Sequence, residues 1–127
     1  MLRKKRSKEK VILDTNFLID NFKYKVRALS QLRGKSVKTI EPVTNELKRI
    51  ASKRGRHSAC AKLALMHLGK KGLKVLKTKE KSADMALLSM AKKGYIIATH
   101  DKLLKQKIKK LGGKVIFIRQ KKYLVME

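Results

Sequence analysis

Nine acidic residues stand against 35 Lys and Arg in this 127-residue chain, so each position that keeps an acid needs a reason. The acids are Glu9, Asp14, Asp20, Glu41, Glu46, Glu80, Asp84, Asp101 and Glu127. Four of them follow short apolar runs. Asp14 comes directly after "VIL", Glu46 six residues after "SVKTI", Asp84 eight after "LKVL" and Asp101 three after "YIIA". Carboxylates gathered in one place repel one another, and divalent cations remove the repulsion. Oxygen-only donors select hard ions, Mg²⁺ or Mn²⁺ rather than zinc. A pair of such ions about 4 Å apart can activate a water and hold the leaving oxygen of a phosphodiester. Taken singly, Asp84 and Asp101 read as helix caps and Glu46 as a solvated face residue. Asp14 needs partners, because it closes a run that should be buried. Capping does not explain why so acid-poor a chain sets an acid after each of four successive runs, and a shared carboxylate site does.

The elements that would carry these acids alternate. "VIL", "SVKTI", "LKVL", "YIIA" and "VIFI" (115–118) read as buried strands. Between them lie helical patterns. The first carries Ile19, Phe22, Val26 and Leu29 on one face and runs to Gly34. Pro42 suits a helix's first turn, before Val43, Leu47, Ile50 and Ala51. Cys60, Leu63, Ala64, His67 and Leu68 mark another face; His67 falls on that apolar stripe and His57 takes no role. Ser82 can cap a helix with Ala83, Ala86, Leu87, Met90 and Ala91 inward, and Leu104, Ile108 and Leu111 mark the last. Strands alternating with helices imply an α/β fold: a three-layer α/β/α sandwich around a mostly parallel five-stranded sheet. "RQKK" followed by "YLVM" adds a C-terminal hairpin partner at the edge. Residues 1–9 form a basic N-terminal arm and 10–127 one domain. In an open parallel sheet the ligand crevice lies beyond the carboxyl ends of the strands, where the four acids would converge.

A net charge of +26 at 43% hydrophobic content describes a folded polycation whose self-repulsion a polyanion would relieve. No run approaches the ~18 apolar residues of a membrane span, no secretory h-region follows the basic start, and the absence of Trp disfavours an interfacial membrane helix. The lone Cys60 fits a reducing, cytoplasmic setting. RNA is the expected partner, and a homodimer is left open. Phosphate contacts are expected from Arg3, Lys4, Lys5 and Arg6 in the arm, from Lys48, Arg49, Lys53 and Arg54, and from Lys102 and Lys105.

Four stretches resemble the motifs of PIN-domain nucleases. "VILDTNFLID" resembles the first, a hydrophobic strand followed by Asp, a small hydroxyl residue and Asn. "TNELKRI" resembles the second, with Glu46 in its acidic position. "SADMALLSMA" resembles the third, with Asp84, and "YIIATHDKLLKQKIKKLGGKVIFI" the fourth, with Thr99 and Asp101. Within that superfamily the chain is most similar to the PIN nucleases of the small-subunit processome and their archaeal relatives. The pattern departs at Met85, where those proteins tend to carry a second Asp, and at His100, where an Asn is common. The resemblance implies a metal-dependent endoribonuclease using Mg²⁺ or Mn²⁺ in ribosomal RNA processing or small-subunit biogenesis, acting on precursor rRNA or a pre-ribosomal particle. It implies Asp14, Glu46, Asp84 and Asp101 as metal ligands, with Asn16 and Thr99 orienting them. His100 reads either as a substrate contact or general acid, or as a helix-start residue facing solvent. Two other readings stay open: a toxin-type PIN ribonuclease held by an antitoxin, and a catalytically silent RNA-binding assembly factor.

Overall fold

The computed structural model describes residues 8–127. Six strands form one sheet: β1 (Lys10–Leu13), β2 (Ser36–Ile40), β3 (Lys74–Leu76), β4 (Ile96–Ala98), β5 (Val115–Arg119) and β6 (Tyr123–Met126). The helices are α1 (Thr15–Lys23), α2 (Ala28–Gln31), α3 (Glu41–Ala51), α4 (Arg56–Lys70), α5 (Ala83–Lys92) and α6 (Lys102–Lys110). The sheet order is β3-β2-β1-β4-β5-β6. The five expected strands pair in parallel, and β6 returns antiparallel on β5 as the hairpin partner. The basic arm residues Arg3, Lys4, Lys5 and Arg6 lie outside the described residues.

From Val11 to Leu13 and from Ile96 to Ala98 the central strands are apolar because both faces of the sheet are covered. Val11, Ile12, Leu13, Ile97 and Ala98 have no exposed surface. Helices α1, α3 and α4 pack on one another, and α5 on α6. Right-handed crossovers put these two groups on opposite faces. From β1 the chain crosses to β2 on one side; from β4 it crosses to β5 on the other. The winding therefore reverses between β1 and β4, and the chain leaves these two adjacent strands toward opposite faces of the sheet, above their carboxyl ends.

One expected helix is two. The pattern from Ile19 to Leu29 breaks after Lys23, and the chain restarts as α2 at Ala28. Lys25 and Arg27 both take left-handed backbone, φ 55° and 57°. The turn is held by Asn21, whose buried side-chain oxygen accepts from Ala28 N at 2.6 Å while its carbonyl accepts from Val26 N. Apolar spacing continues across the break because Val26, Ala28 and Leu32 still reach the core. On α4 the buried stripe is Cys60, Ala61, Ala64 and Leu68, and Leu63 is exposed. Leu111, expected on the inner face of the last helix, is also half exposed.

Candidate active site

The crevice between β1 and β4 is built from the backbone outward. Asp14 N donates to Ala98 O, so the first residue past β1 is tied to the last residue of β4. Thr99 N in turn donates to Ile116 O on β5. Asp14 is the N-cap of α1 and Asp101 the N-cap of α6. Both helices thus aim their positive ends into the space above the sheet.

Asp14 is 7% exposed. One carboxylate oxygen accepts from Thr15 N at 2.7 Å, and the other accepts from the Thr99 hydroxyl at 2.7 Å. Thr99 is fully buried, and its Oγ1 also accepts from Asp101 N at 3.2 Å. Asp101 Oδ1 accepts from Leu104 N at 3.0 Å. Asp14, Thr99 and Asp101 therefore form one hydrogen-bonded chain across the switch point. Burial raises the Asp14 carboxyl above its ordinary range. The hydrogen bonds from Thr99 and Thr15 work against that rise, and the nearby charges of Glu46 and Asp84 add to it. Among the described residues no Lys or Arg forms an ion pair with Asp14.

Glu46 and Asp84 reach this neighbourhood from separate elements. Glu46 is half-buried in the second turn of α3. Asp84 is exposed in the first turn of α5 and is not its cap: Ser82 takes that place, its hydroxyl accepting from Met85 N at 3.2 Å. Asn16 is exposed on α1 and makes no side-chain hydrogen bond to Asp14 among the described residues; Thr99 and the Thr15 amide hold that carboxylate instead. Of the basic candidates, Lys48, Arg49, Lys53 and Arg54 are exposed at the end of α3 and just beyond it. Lys102 is exposed at the start of α6, and Lys105 lies over the Phe117 ring at 4.2 Å.

His100 does not face solvent. Its Nδ1 meets Asp20 Oδ2 at 2.7 Å, and its Nε2 accepts from Ile118 N at 3.0 Å. Because Nε2 accepts, the proton sits on Nδ1 and is donated to Asp20. The ring also packs on Phe17, centroids 5.5 Å apart. Asp20 is therefore more than a helix surface residue. The sequence held one signal for this pair: Asp20 and Phe17 are three apart on α1, on the face that meets the ring.

Whether the donor set suits a divalent ion can be judged from its chemistry. The donors are carboxylates at a site that lacks a compensating cation among the described residues. No three of the His, Cys, Asp and Glu side chains among these residues close into a single ligating cluster. Mg²⁺ keeps most of its waters and needs only one or two protein carboxylates, so a loose set built on Asp14 suits it where a closed zinc cage would not form. Thr15 Oγ1, adjacent to Asp14, is buried without a hydrogen-bond partner among these residues.

Comparison with known proteins bears on the family and the fold. Residues 11–121 match the model of a family described as "PIN like domain". The chain belongs to the PIN-like domain family. It is 35% identical over 124 residues to Ribonuclease VapC4 of Methanocaldococcus jannaschii, covering 90% of this chain and 93% of that protein. A solved structure of the PIN domain endonuclease Utp24 superposes with a TM-score of 0.74 at 24% identity, covering 93% of this PIN-like chain and 90% of the other. At that identity the match speaks for the fold. The PIN-like sheet order places the loops after β1 and β4 side by side, which is why the first and fourth motifs meet although 85 residues separate Asp14 from Thr99.

Proposed function

We propose that this protein is a divalent-metal-dependent endoribonuclease that cleaves structured RNA, with precursor ribosomal RNA or a pre-ribosomal particle as substrate. The observation that carries the reading is Asp14: a buried carboxylate, raised by burial and by Glu46 and Asp84, at the switch point of a protein of net charge +26. The ribonuclease name of the archaeal relative supports the activity. The resemblance to small-subunit-processome nucleases supports the substrate.

Asp14, Glu46, Asp84 and Asp101 would hold Mg²⁺ or Mn²⁺. When bound, the ion would supply the polarisation that turns water into a nucleophile and neutralise charge on the departing oxygen. Thr99 fixes the orientation of Asp14 and joins it to the Asp101 backbone, so two acids move as one body. The uncompensated acids hold a phosphate off until a cation is present. The basic exposed residues of α3 and α6 collect the RNA backbone without reading its sequence.

The test is incubation with labelled precursor rRNA and Mn²⁺, beside Asp14→Asn. The wild type is expected to give discrete fragments and the variant to be slower by at least about a hundredfold, a loss of the size that follows removal of one group stabilising the transition state. Equal cleavage by both overturns the reading.

A further inference from the structure

At the opposite end of the sheet from Asp14 lies a cavity of about 790 Å³ that none of the four motifs reaches. It is open to solvent and lined by the end of α1, by α2, by the start of β2 and by the end of α4. Lys10 at the start of β1 pairs in register with Ser36, so Asp14 lies four residues further along, about 13 Å at the usual rise per residue. Five cations line the cavity, Lys25, Arg27, Arg33, Lys35 and Lys71, and no acid does. Among the described residues Lys35 is paired, with Glu9 at 2.5 Å, and none of the other four forms an ion pair. Phe22 and His67 meet edge to face in the wall, ring centroids 5.4 Å apart. Burial and the adjacent Lys71 and Lys70 hold the His67 ring below its ordinary range, so it is neutral at physiological pH.

Two of the cations are placed at a cost. Lys25 and Arg27 occupy left-handed backbone that non-glycine residues avoid, and Asn21 holds the turn there with its buried side chain. The volume exceeds what one phosphate needs and falls in the range of pockets that enclose a nucleotide-sized ligand. Aromatic rings beside a cluster of cations are the two components of single-stranded nucleic-acid binding: a charged track for the backbone and a flat surface for a base.

We infer that this cavity is a second RNA-binding site, which seats a single-stranded segment of the substrate away from the carboxylate crevice. Phosphates lie against Arg27, Arg33 and Lys71, and an unstacked base lies against Phe22 and His67. This rests on RNA being the substrate, and it adds where the part of the RNA that is not cut is held.

The test compares Arg33→Glu/Lys71→Glu with Lys92→Glu/Lys93→Glu, exposed residues outside this cavity that change the net charge equally. Binding of a labelled single-stranded RNA is measured in an Asp14→Asn background, so cleavage does not enter. The cavity pair is expected to lose at least tenfold in affinity beyond the control pair, with the salt slope reduced by about 1.4 for two lost single-strand phosphate contacts. In the Asp14 protein the same pair raises KM and leaves kcat and Mn²⁺ affinity unchanged. Photo-crosslinking of 4-thiouridine RNA to the unaltered cavity, mapped by mass spectrometry, is expected at Phe22 or His67 and does not depend on any variant folding. If both pairs bind alike and no crosslink falls in the cavity, the inference is overturned while the nuclease reading stands. If the cavity pair loses binding but the wild type cleaves nothing, the nuclease reading falls and the cavity assignment stands. Displacement of the RNA by a polyglutamate peptide as readily as by unlabelled RNA reassigns the cavity to an acidic protein partner.

Discussion

Asp14 sits in a place that favours the neutral form of its carboxyl, and this sets a measurable sign. Its carboxyl is raised in the folded protein above the ordinary value of 3.8. The folded state therefore prefers the protonated group. The stability this contributes is present below about 3.8 and is lost as pH rises through the elevated folded value. In metal-free protein Asp14→Asn is expected to melt higher than the wild type at pH 7, with the gap closing as pH falls toward 3.5. Mn²⁺ should raise the melting temperature of the wild type and leave that of the variant unmoved. A variant that melts lower at pH 7 would show that the charge is compensated. Thr99 is the second sensitive residue. Thr99→Val removes the hydroxyl shared by Asp14 and Asp101, and urea unfolding should show a loss of about 1–3 kcal/mol that Thr99→Ser largely restores. Asp14 was legible in the sequence because an acid closes an apolar strand. Its partner Thr99 came through the motif resemblance, since no local rule joins residues that far apart. The role expected of Asn16 depended on which way the first turn of α1 rotates, which one sequence does not specify.

At the level of elements, His100 ties three pieces together: the loop after β4, helix α1 through Asp20, and strand β5 through Ile118 N. A double-mutant cycle on Asp20→Ala and His100→Ala tests whether this is one unit. Coupling of about 0.5–3 kcal/mol is expected for groups in direct contact, and additive losses would show that the contact carries nothing. Helix α5 offers a separate contrast, because its cap and its site acid are different residues. Ser82→Ala should cost about 0.5–2 kcal/mol, whereas Asp84→Asn should leave metal-free stability unchanged or slightly higher, read by denaturant unfolding. The strands were legible because buried parallel strands are short apolar runs with sharp polar ends. The helix break at Lys25–Arg27 was not, since spacing that suits one continuous helix also suits two segments whose turn still buries Val26. The His100 clamp was hidden for a similar reason: an imidazole at a helix start faces solvent unless a strand edge arrives to donate to it, and that depends on topology.

The whole molecule carries +26 on 127 residues, and the two ends of its sheet differ in chemistry. The carboxylate crevice lies at one end, and a cavity lined by cations lies at the other. No helix among the described residues is long and apolar enough to cross a membrane. Repulsion among surface lysines acts over roughly the Debye length, about 10 Å at 0.1 M salt, which is comparable to their spacing on a domain of this size. Few acids are available to offset it; among the described residues the lysine ion pairs are Lys35 with Glu9 and Lys109 with Glu127. Salt should therefore act in opposite directions on folding and on binding. From 0.05 to 0.5 M NaCl the melting temperature is expected to rise, as screening relieves a compact state that repels itself. Over the same range RNA affinity should fall linearly on a log–log plot with a slope of several units, as counterions released from the phosphates become more costly to displace. RNA at low salt should accordingly stabilise the fold more than NaCl of equal ionic strength, because it delivers its charges to the same lysines at fixed positions. Thermal melts with and without a non-cleavable RNA, at matched ionic strength, measure this directly. A melting temperature indifferent to both would mean that the cations are spaced widely enough not to sense one another, and the excess charge would then need a reason other than a polyanionic partner.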